Sequence, residues 1–384
     1  MGFFSSLADN RRFKQLPAEQ RNLVFYSESG QDWHHFESIV GNLLQQGRNV
    51  CYISSDGDDP GVNSNHPKLH TFVIDSDPIR IWLFQMMKAD VCVLTMMDLE
   101  NLQLKRSINQ VHYVYLFHGL GSTHMADHAN SYDAYDSLMC AGPHHVAELR
   151  KREQLANLAP RELIEHGYER LERLHKDVSK KPDPNSQPHV LVAPTWGQNS
   201  LLNLCAEPLI EQLLAADMRV TLRPHYHSKV IDHELVDALF KKFQGRAGFN
   251  SVESMSESDS LISSHVLVCD WSGMAIEYGL ALEKPVVFID VPRRIRNPDW
   301  QDWGMQPLEV SIRQQLGEVI APEQLQSTPK VIRRLIDSPK PAADYDALRR
   351  EVVFNFGTSA AVGAAELAKI ADRQRGIGMR ARLK

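Results

Sequence analysis

The chain has 384 residues, 43% of them hydrophobic and 23% charged, with 21 glycines and 20 prolines. This is enough for two domains that each bury a core, and it excludes a disordered or fibrous protein. A formal net charge of −6 excludes broad nucleic-acid binding and leaves room only for local basic patches.

The N-terminus, Met1-Gly2-Phe3-Phe4-Ser5-Ser6, runs into Arg11, Arg12 and Lys14, and the C-terminus ends in RQRGIGMRARLK. Either segment has the composition to touch an anionic membrane face, but solvated termini are the expectation. Gly2 with Ser6 also fits a short myristoylation pattern. The N-terminus lacks the apolar core of a secretory signal and no apolar run is long enough to span a bilayer, so a cytoplasmic protein is expected. Cys51, Cys92, Cys140, Cys205 and Cys269 contain no CxxC pair, and three of them lie in apolar strand-like runs, which points to buried free thiols.

Asn22–Tyr26 and Val50–Ile53 read as strands flanking a helix over Asp32–Gln46 that Gly47 stops, a β-α-β opening with Ser29-Gly30 at a binding-loop position. In the following loop, Asp56-Gly57-Asp58-Asp59 has metal-ligand composition and also turn composition; the turn is favoured. Strands are predicted at His70–Ile74, Val91–Leu94 and Val111–Phe117, alternating with helices. This pattern gives a parallel sheet covered on both faces.

Phe117-His118-Gly119 closes the last of these strands, where open α/β sheets bind ligands, and Ser122, His124, Asp127, His128, Asp133 and Asp136 crowd after it. His124 and His128 at helical spacing suggest a zinc pair. The Glu of an HExxH motif and a third ligand are missing, so no metal is assigned. After a strand at Leu138–Ala141, a charged helical run is read to about Lys181. Lys180–Pro188, KKPDPNSQP, is then the domain linker.

Beyond it, strand His189–Ala193 leads into Pro194-Thr195-Trp196-Gly197, a helix spans Leu201–Ala216, and strand Arg219–Leu222 ends in Arg223-Pro224-His225-Tyr226-His227, a group suited to phosphate. Ser254–Ile262 is read as a short helix. Val266–Cys269 and Pro285–Ile289 are buried parallel strands on either side of one helix. In the turn before that helix, Asp270-Trp271-Ser272-Gly273, Ser272 is the expected N-cap and Gly273 lets a ligand approach the free backbone N–H groups. Such a helix start favours a diphosphate, and Glu277 one turn in suits ribose hydroxyls. A long loop with Arg293, Arg294, Arg296, Trp300 and Trp303 follows, then helices at Gln324–Ile336, Asp344–Phe354 and Ser359–Ala371. The expected domains are residues 1–184, 185–350 (nucleotide-binding) and a C-terminal helix and basic tail at 351–384, the last packing back on the first.

Five motifs occur in one order: His118-Gly119, Ala193-Pro194-Thr195-Trp196, Leu222-Arg223-Pro224-His225-Tyr226, Cys269-Asp270-Trp271-Ser272 and Lys284-Pro285. In this the chain resembles the CDP-glycerol glycerophosphotransferases of teichoic-acid-type polymers, from about Val111 to Ile289. The resemblance implies a GT-B fold, two Rossmann-like α/β domains with parallel sheets facing across a cleft, and transfer of glycerol phosphate from CDP-glycerol to a hydroxyl of a cell-surface glycan or lipid-linked polymer, with CMP release and no cofactor. By it His118 is the base for the acceptor hydroxyl, His225 is the second essential histidine near the donor phosphates, and Ser272 binds phosphate; together with the reading of the residues themselves, the expected substrate- or nucleotide-binding set is Gly119, Thr195, Trp196, Arg223, Asp270, Ser272, Gly273 and Glu277. Gly273 stands where the family has a second serine, Leu120 replaces a threonine, and the lysine expected soon after is absent from GSTHMAD. Glu277 keeps a nucleotide-sugar donor, in a GT-B glycosyltransferase or epimerase, as the alternative. Peripheral contact with the inner membrane face belongs to the same expectation.

Overall fold

The computed structural model describes residues 2–180, 182–183, 185–252 and 259–382, with side chains described to residue 377. The chain forms two compact units, one comprising the described parts of Met1–Gly119, Asp127–Arg170 and Val352–Lys384, the other Leu120–Ala126 and Leu171–Glu351.

The first unit is built on seven strands: β1 (Leu23–Ser27), β2 (Val50–Ser54), β3 (Leu69–Val73), β4 (Val91–Leu94), β5 (His112–Leu116), β6 (Ser137–Cys140) and β7 (Glu162–Glu165), in the order β3-β2-β1-β4-β5-β6-β7. Every pairing is parallel. Helix Trp33–Gln45 buries Trp33, Phe36, Val40 and Leu43, spaced three and four apart, against this sheet. Ala364, Leu367, Ala368 and Ala371 of the last helix, Ser359–Arg382, fill the same core. The second unit has six parallel strands, β8 (His189–Val192), β9 (Arg219–Leu222), β10 (Phe249–Ser251), β11 (Val266–Cys269), β12 (Val286–Ile289) and β13 (Gly317–Ile320), ordered β10-β9-β8-β11-β12-β13. The order reverses between β1 and β4 in one sheet and between β8 and β11 in the other. Ligands bind beyond the carboxyl ends of strands at such reversals.

The two parallel α/β sheets agree with the expected class, while several local expectations need correction. The charged run to Lys181 is not one helix: Pro143–Leu155 and Glu169–His175 are helical and β7 lies between them. Strands β10 and β13 and helices Tyr226–Ile231 and His233–Phe243 have no counterpart among the expected elements, and the Leu201–Ala216 helix breaks at Cys205. The link from β4 to β5 holds no helix. Of Ser254–Ile262, the part before Asp259 lies outside the described residues, as do Met1 and, in the linker, Lys181 and Pro184; the remainder joins helix Asp259–Ser263.

The N-terminal segment is a packed helix, Phe3–Gln15, and not a solvated terminus. Phe13 meets Phe72 edge-on at 5.6 Å, and Ser6 is buried with its Oγ 2.5 Å from Asp75. The five cysteines are free and buried. Asp56 accepts from the Gly30 and Asp58 amides, and Asp59 from the Gly61 amide and Tyr52 hydroxyl, so these carboxylates hold a turn. The helix containing His124 ends at Ala126, which leaves His128 off it. Among the described residues no group of three or more His, Cys, Asp or Glu is placed to hold a metal.

Candidate active site

His118 leaves β5 through Phe117, and each neighbour fixes part of its position. The Tyr168 hydroxyl donates to the His118 carbonyl at 3.0 Å, the Phe117 ring stacks on His145 at 3.9 Å, and the Tyr115 hydroxyl lies 3.5 Å from Nδ1. The His35 ring, from the first turn of helix Trp33–Gln45, is 5.3 Å away. At Gly119 a Cβ would meet nothing within 4 Å, so the backbone beside His118 is open to a substrate.

In the second unit the strand reversal brings the β8 and β11 loops together. Asp270 is completely buried; its carboxylate accepts from the Thr195 amide and hydroxyl and from the Leu201 amide, each at 2.8 Å. Burial raises its pKa above the usual carboxylate value while these bonds oppose the shift. Both oxygens are therefore engaged by the chain, and Asp270 acts by fixing the Thr195-Trp196 turn. Arg223 is likewise buried, with Nη1 donating to Ser260 Oγ at 3.3 Å. Lys284 is buried too, and its ammonium donates to the Leu261, Ile262 and Ser264 carbonyls at the end of the same short helix, Asp259–Ser263. Two motif residues thus anchor one helix beneath the site.

Ser272 is one residue short of the expected cap. Gly273 occupies the N-cap of helix Met274–Leu282, and Ser272 Oγ accepts from the Met274 amide at 3.3 Å. Gly273 is exposed, and a Cβ there would meet nothing within 4 Å. Glu277 sits half-buried in the first turn. Beside this helix start, Asp270, Trp271, Ser272 and Glu309 help line a cavity of about 10 Å³, room for roughly one water.

His225 caps helix Tyr226–Ile231 by accepting from the His227 amide on Nδ1 at 3.1 Å, which places its proton on Nε2. Burial, with the charges of His227 and Arg294, pushes its pKa down to about 4. The imidazole is then neutral at cellular pH and carries its N–H on Nε2. Around it stand Trp196 and His227, and the Arg294 guanidinium lies 3.7 Å from the centre of the Trp196 ring, with Arg296 at 5.7 Å. The sequence placed these arginines in a loop with no assigned role. Their only sequence signal was the density of Arg and Trp after Asp290.

These features, two parallel sheets each with a strand-order reversal and a cationic cluster at the carboxyl ends of one of them, define a protein of the two-sheet α/β class. The fold is similar to that of the wall teichoic acid polymerase TagF (16% identity, 96% of this chain and 94% of that one, TM-score 0.55). It is also similar to a glycosyltransferase from Rickettsia africae (11%, 92% and 98%, TM-score 0.53) and to S. aureus MnaA bound to UDP (12%, 89% and 94%, TM-score 0.56). No curated protein matches the sequence. The family model for CDP-glycerol:poly(glycerophosphate) glycerophosphotransferase matches residues 23–292, and the chain belongs to that family. It is a glycerophosphotransferase with CDP-glycerol as donor and a glycan or polymer as acceptor.

Proposed function

We propose that the two units divide the chemistry, with residues Leu171–Glu351 binding the donor and His118 serving the acceptor. An acceptor hydroxyl loses its proton to His118 Nε2 as its oxygen bonds to the phosphorus carrying glycerol. The bond to the CMP oxygen breaks, and CMP departs with the electron pair. The Nε2–H of His225, Arg294, and the N–H groups at Ser272-Gly273 meet the phosphate charge, while Glu277 accepts from ribose hydroxyls. Thr195 and Trp196, held by Asp270, contact the donor, and Gly119 leaves room for the acceptor. The observation that carries this reading is the cluster of Trp196, His225 and Arg294 at the β8–β11 reversal, a built anion site of neutral donor and fixed cation.

The test is product analysis. CMP released from CDP-glycerol in the presence of a polyol-phosphate acceptor is the expected result. Release of a nucleoside diphosphate from a nucleotide sugar, with CDP-glycerol inert, would instead establish the sugar-transfer alternative.

A lipid-linked acceptor and contact with the cytoplasmic membrane face belong to the same proposal, supported by apolar side chains exposed beside basic ones. Phe4 is 84% exposed at the start of a helix carrying Arg11, Arg12 and Lys14. Trp82 and Met86, four apart on helix Asp77–Met86, are exposed next to Ile108, whose amide donates to the Gln85 carbonyl. Lys14 lies over the Trp82 ring. Among the described residues no helix is long and apolar enough to cross a membrane. Cosedimentation with anionic but not neutral vesicles, reduced in Phe4→Ser and Trp82→Ser, is expected; equal recovery in the supernatant with both vesicle types refutes it.

A further inference from the structure

We propose that Asp127, Tyr132 and Tyr115 form a hydrogen-bonded relay that orients His118 and stabilises its protonated form, so that all three are positioning residues for transfer. The proposal rests on His118 being the base.

Tyr115 and Tyr132 are buried, and their rings meet edge-on with centroids 4.8 Å apart. Burying a phenol demands a partner for its hydroxyl. The Tyr132 hydroxyl donates to Asp127 Oδ2 at 2.6 Å, and the Tyr115 hydroxyl lies between the Tyr132 hydroxyl, to which it is hydrogen-bonded, and His118 Nδ1 at 3.5 Å. Tyr132 has one proton and gives it to the carboxylate. Its oxygen then accepts from Tyr115, and the Tyr115 oxygen accepts from Nδ1–H of His118. This count of protons leaves the lone pair of His118 on Nε2, the atom that must take the acceptor's proton. The separation of 3.5 Å is of the kind that tightens when substrate arrives.

Burial raises the pKa of both phenols well above the usual value, so both stay protonated and the chain of donors is intact throughout the cycle. No proton travels along the relay: the one taken by Nε2 leaves later to solvent, and Nδ1 keeps its own. What the relay supplies is a negative end. When His118 becomes an imidazolium, its Nδ1–H points into oriented hydroxyl dipoles that terminate on the Asp127 carboxylate. The other charged groups acting on Tyr115 are Asp32 and Asp98, of the same sign, and His35 faces His118 from helix Trp33–Gln45. Tyr135, whose ring packs on Tyr115 at 5.2 Å, donates to the Met96 carbonyl and stands outside the chain.

Tyr132→Phe keeps the ring and removes the link; Asp127→Asn keeps the shape and removes the charge. With CDP-glycerol and a polyol-phosphate acceptor, each should lower kcat by about 10- to 100-fold, as loss of an outer-shell orienting group does. The donor KM should stay unchanged, and the acidic limb of the kcat/KM profile should move to lower pH because the imidazolium has lost stabilisation. A folded variant with wild-type kcat and acidic limb overturns the relay, and so does a fall in kcat with the acidic limb unmoved. If Tyr132→Phe melts early, the half-buried Asp127→Asn decides. His118→Ala measured in parallel separates the two readings. Full transfer by His118→Ala sinks the base assignment itself, whereas an inactive His118→Ala beside normal Tyr132→Phe and Asp127→Asn sinks only the relay.

Discussion

His118 and His225 both lie just beyond the carboxyl end of a parallel strand, yet their surroundings have opposite sign. His118 is backed by phenols and carboxylates: Tyr115, Tyr132 and Asp127, with Asp32 and Asp98 also acting on Tyr115. His225 is backed by Arg294 and by a backbone amide that occupies Nδ1. The relay proposed above would favour an imidazolium in the first setting; the imidazole in the second is kept neutral, with a pKa of about 4. On the proposed reading one residue type does two jobs, base and neutral donor, and the sorting is done by neighbours as near in sequence as Tyr115 and as distant as Arg294.

The widest separation between the two sites should appear on removing the rings. His118→Ala is expected to lower kcat by about 10² to 10⁴ with donor affinity kept, because a general base acts only in the transition state. Single-turnover rates together with CMP or CDP-glycerol calorimetry check this, and retained transfer by a well-folded variant removes His118 from the chemistry. Arg294→Ala should show the reverse bias. A charge-assisted bond is worth about 1.5–3 kcal/mol, so donor affinity should fall by about 10- to 100-fold and lose much of its salt dependence. Unchanged affinity would mean that Arg294 serves only to pack on Trp196.

A smaller effect concerns pH. His225 protonates only near its depressed pKa of about 4, so in the wild type the added positive charge tightens nucleotide binding only in acid, and affinity is flat across the neutral range. Because the Arg294 charge helps hold that pKa down, Arg294→Ala should shift the acid-side gain in affinity to higher pH. Titrations of the two proteins with CDP-glycerol, whose doubly esterified diphosphate has no ionisation near neutrality, check this at matched ionic strength, and a wild-type transition near neutrality would contradict a neutral His225.

Much of this was legible in the sequence where burial is complete. Strands β1, β2, β4, β8, β11 and β12 are buried along their length and apolar apart from a terminal Ser27, Ser54 or His189, and such runs announce themselves. The unread strands β7, β10 and β13 are all sheet edges with sequences ELIE, FNS and GEVI, half solvated and without a pattern. Motif residues were found because they sit at strand ends. Their division of labour was hidden, since nothing in the spelling of Asp270 or Lys284 shows that the carboxylate holds Thr195 or that the ammonium closes a helix. The roles proposed for Arg294 and Tyr132 were hidden for the same reason: each rests on partners that folding brings near.

The two glycines give the finest comparison, because each can be altered without touching the fold. Gly273 has φ −59° and ψ −26°, ordinary helical values, and neither Gly273 nor Gly119 would place a new methyl within 4 Å of anything. Gly→Ala at an unstrained, open position should leave stability unchanged or raise it by about 0.4–1 kcal/mol through the unfolded chain. Any functional loss then reports the ligand and not the protein. If phosphate approaches the Ser272-Gly273 amides, the methyl of Gly273→Ala collides with it, and donor affinity falls while turnover at saturating donor is nearly kept. If the acceptor passes beside Gly119, Gly119→Ala should spare CMP binding and raise the acceptor KM. Thermal melts first establish that both variants are folded; donor calorimetry and acceptor titrations then follow. A Gly273→Ala protein with normal donor affinity would place the phosphate away from this helix start, and Arg294 with His225 would be left as its principal contacts.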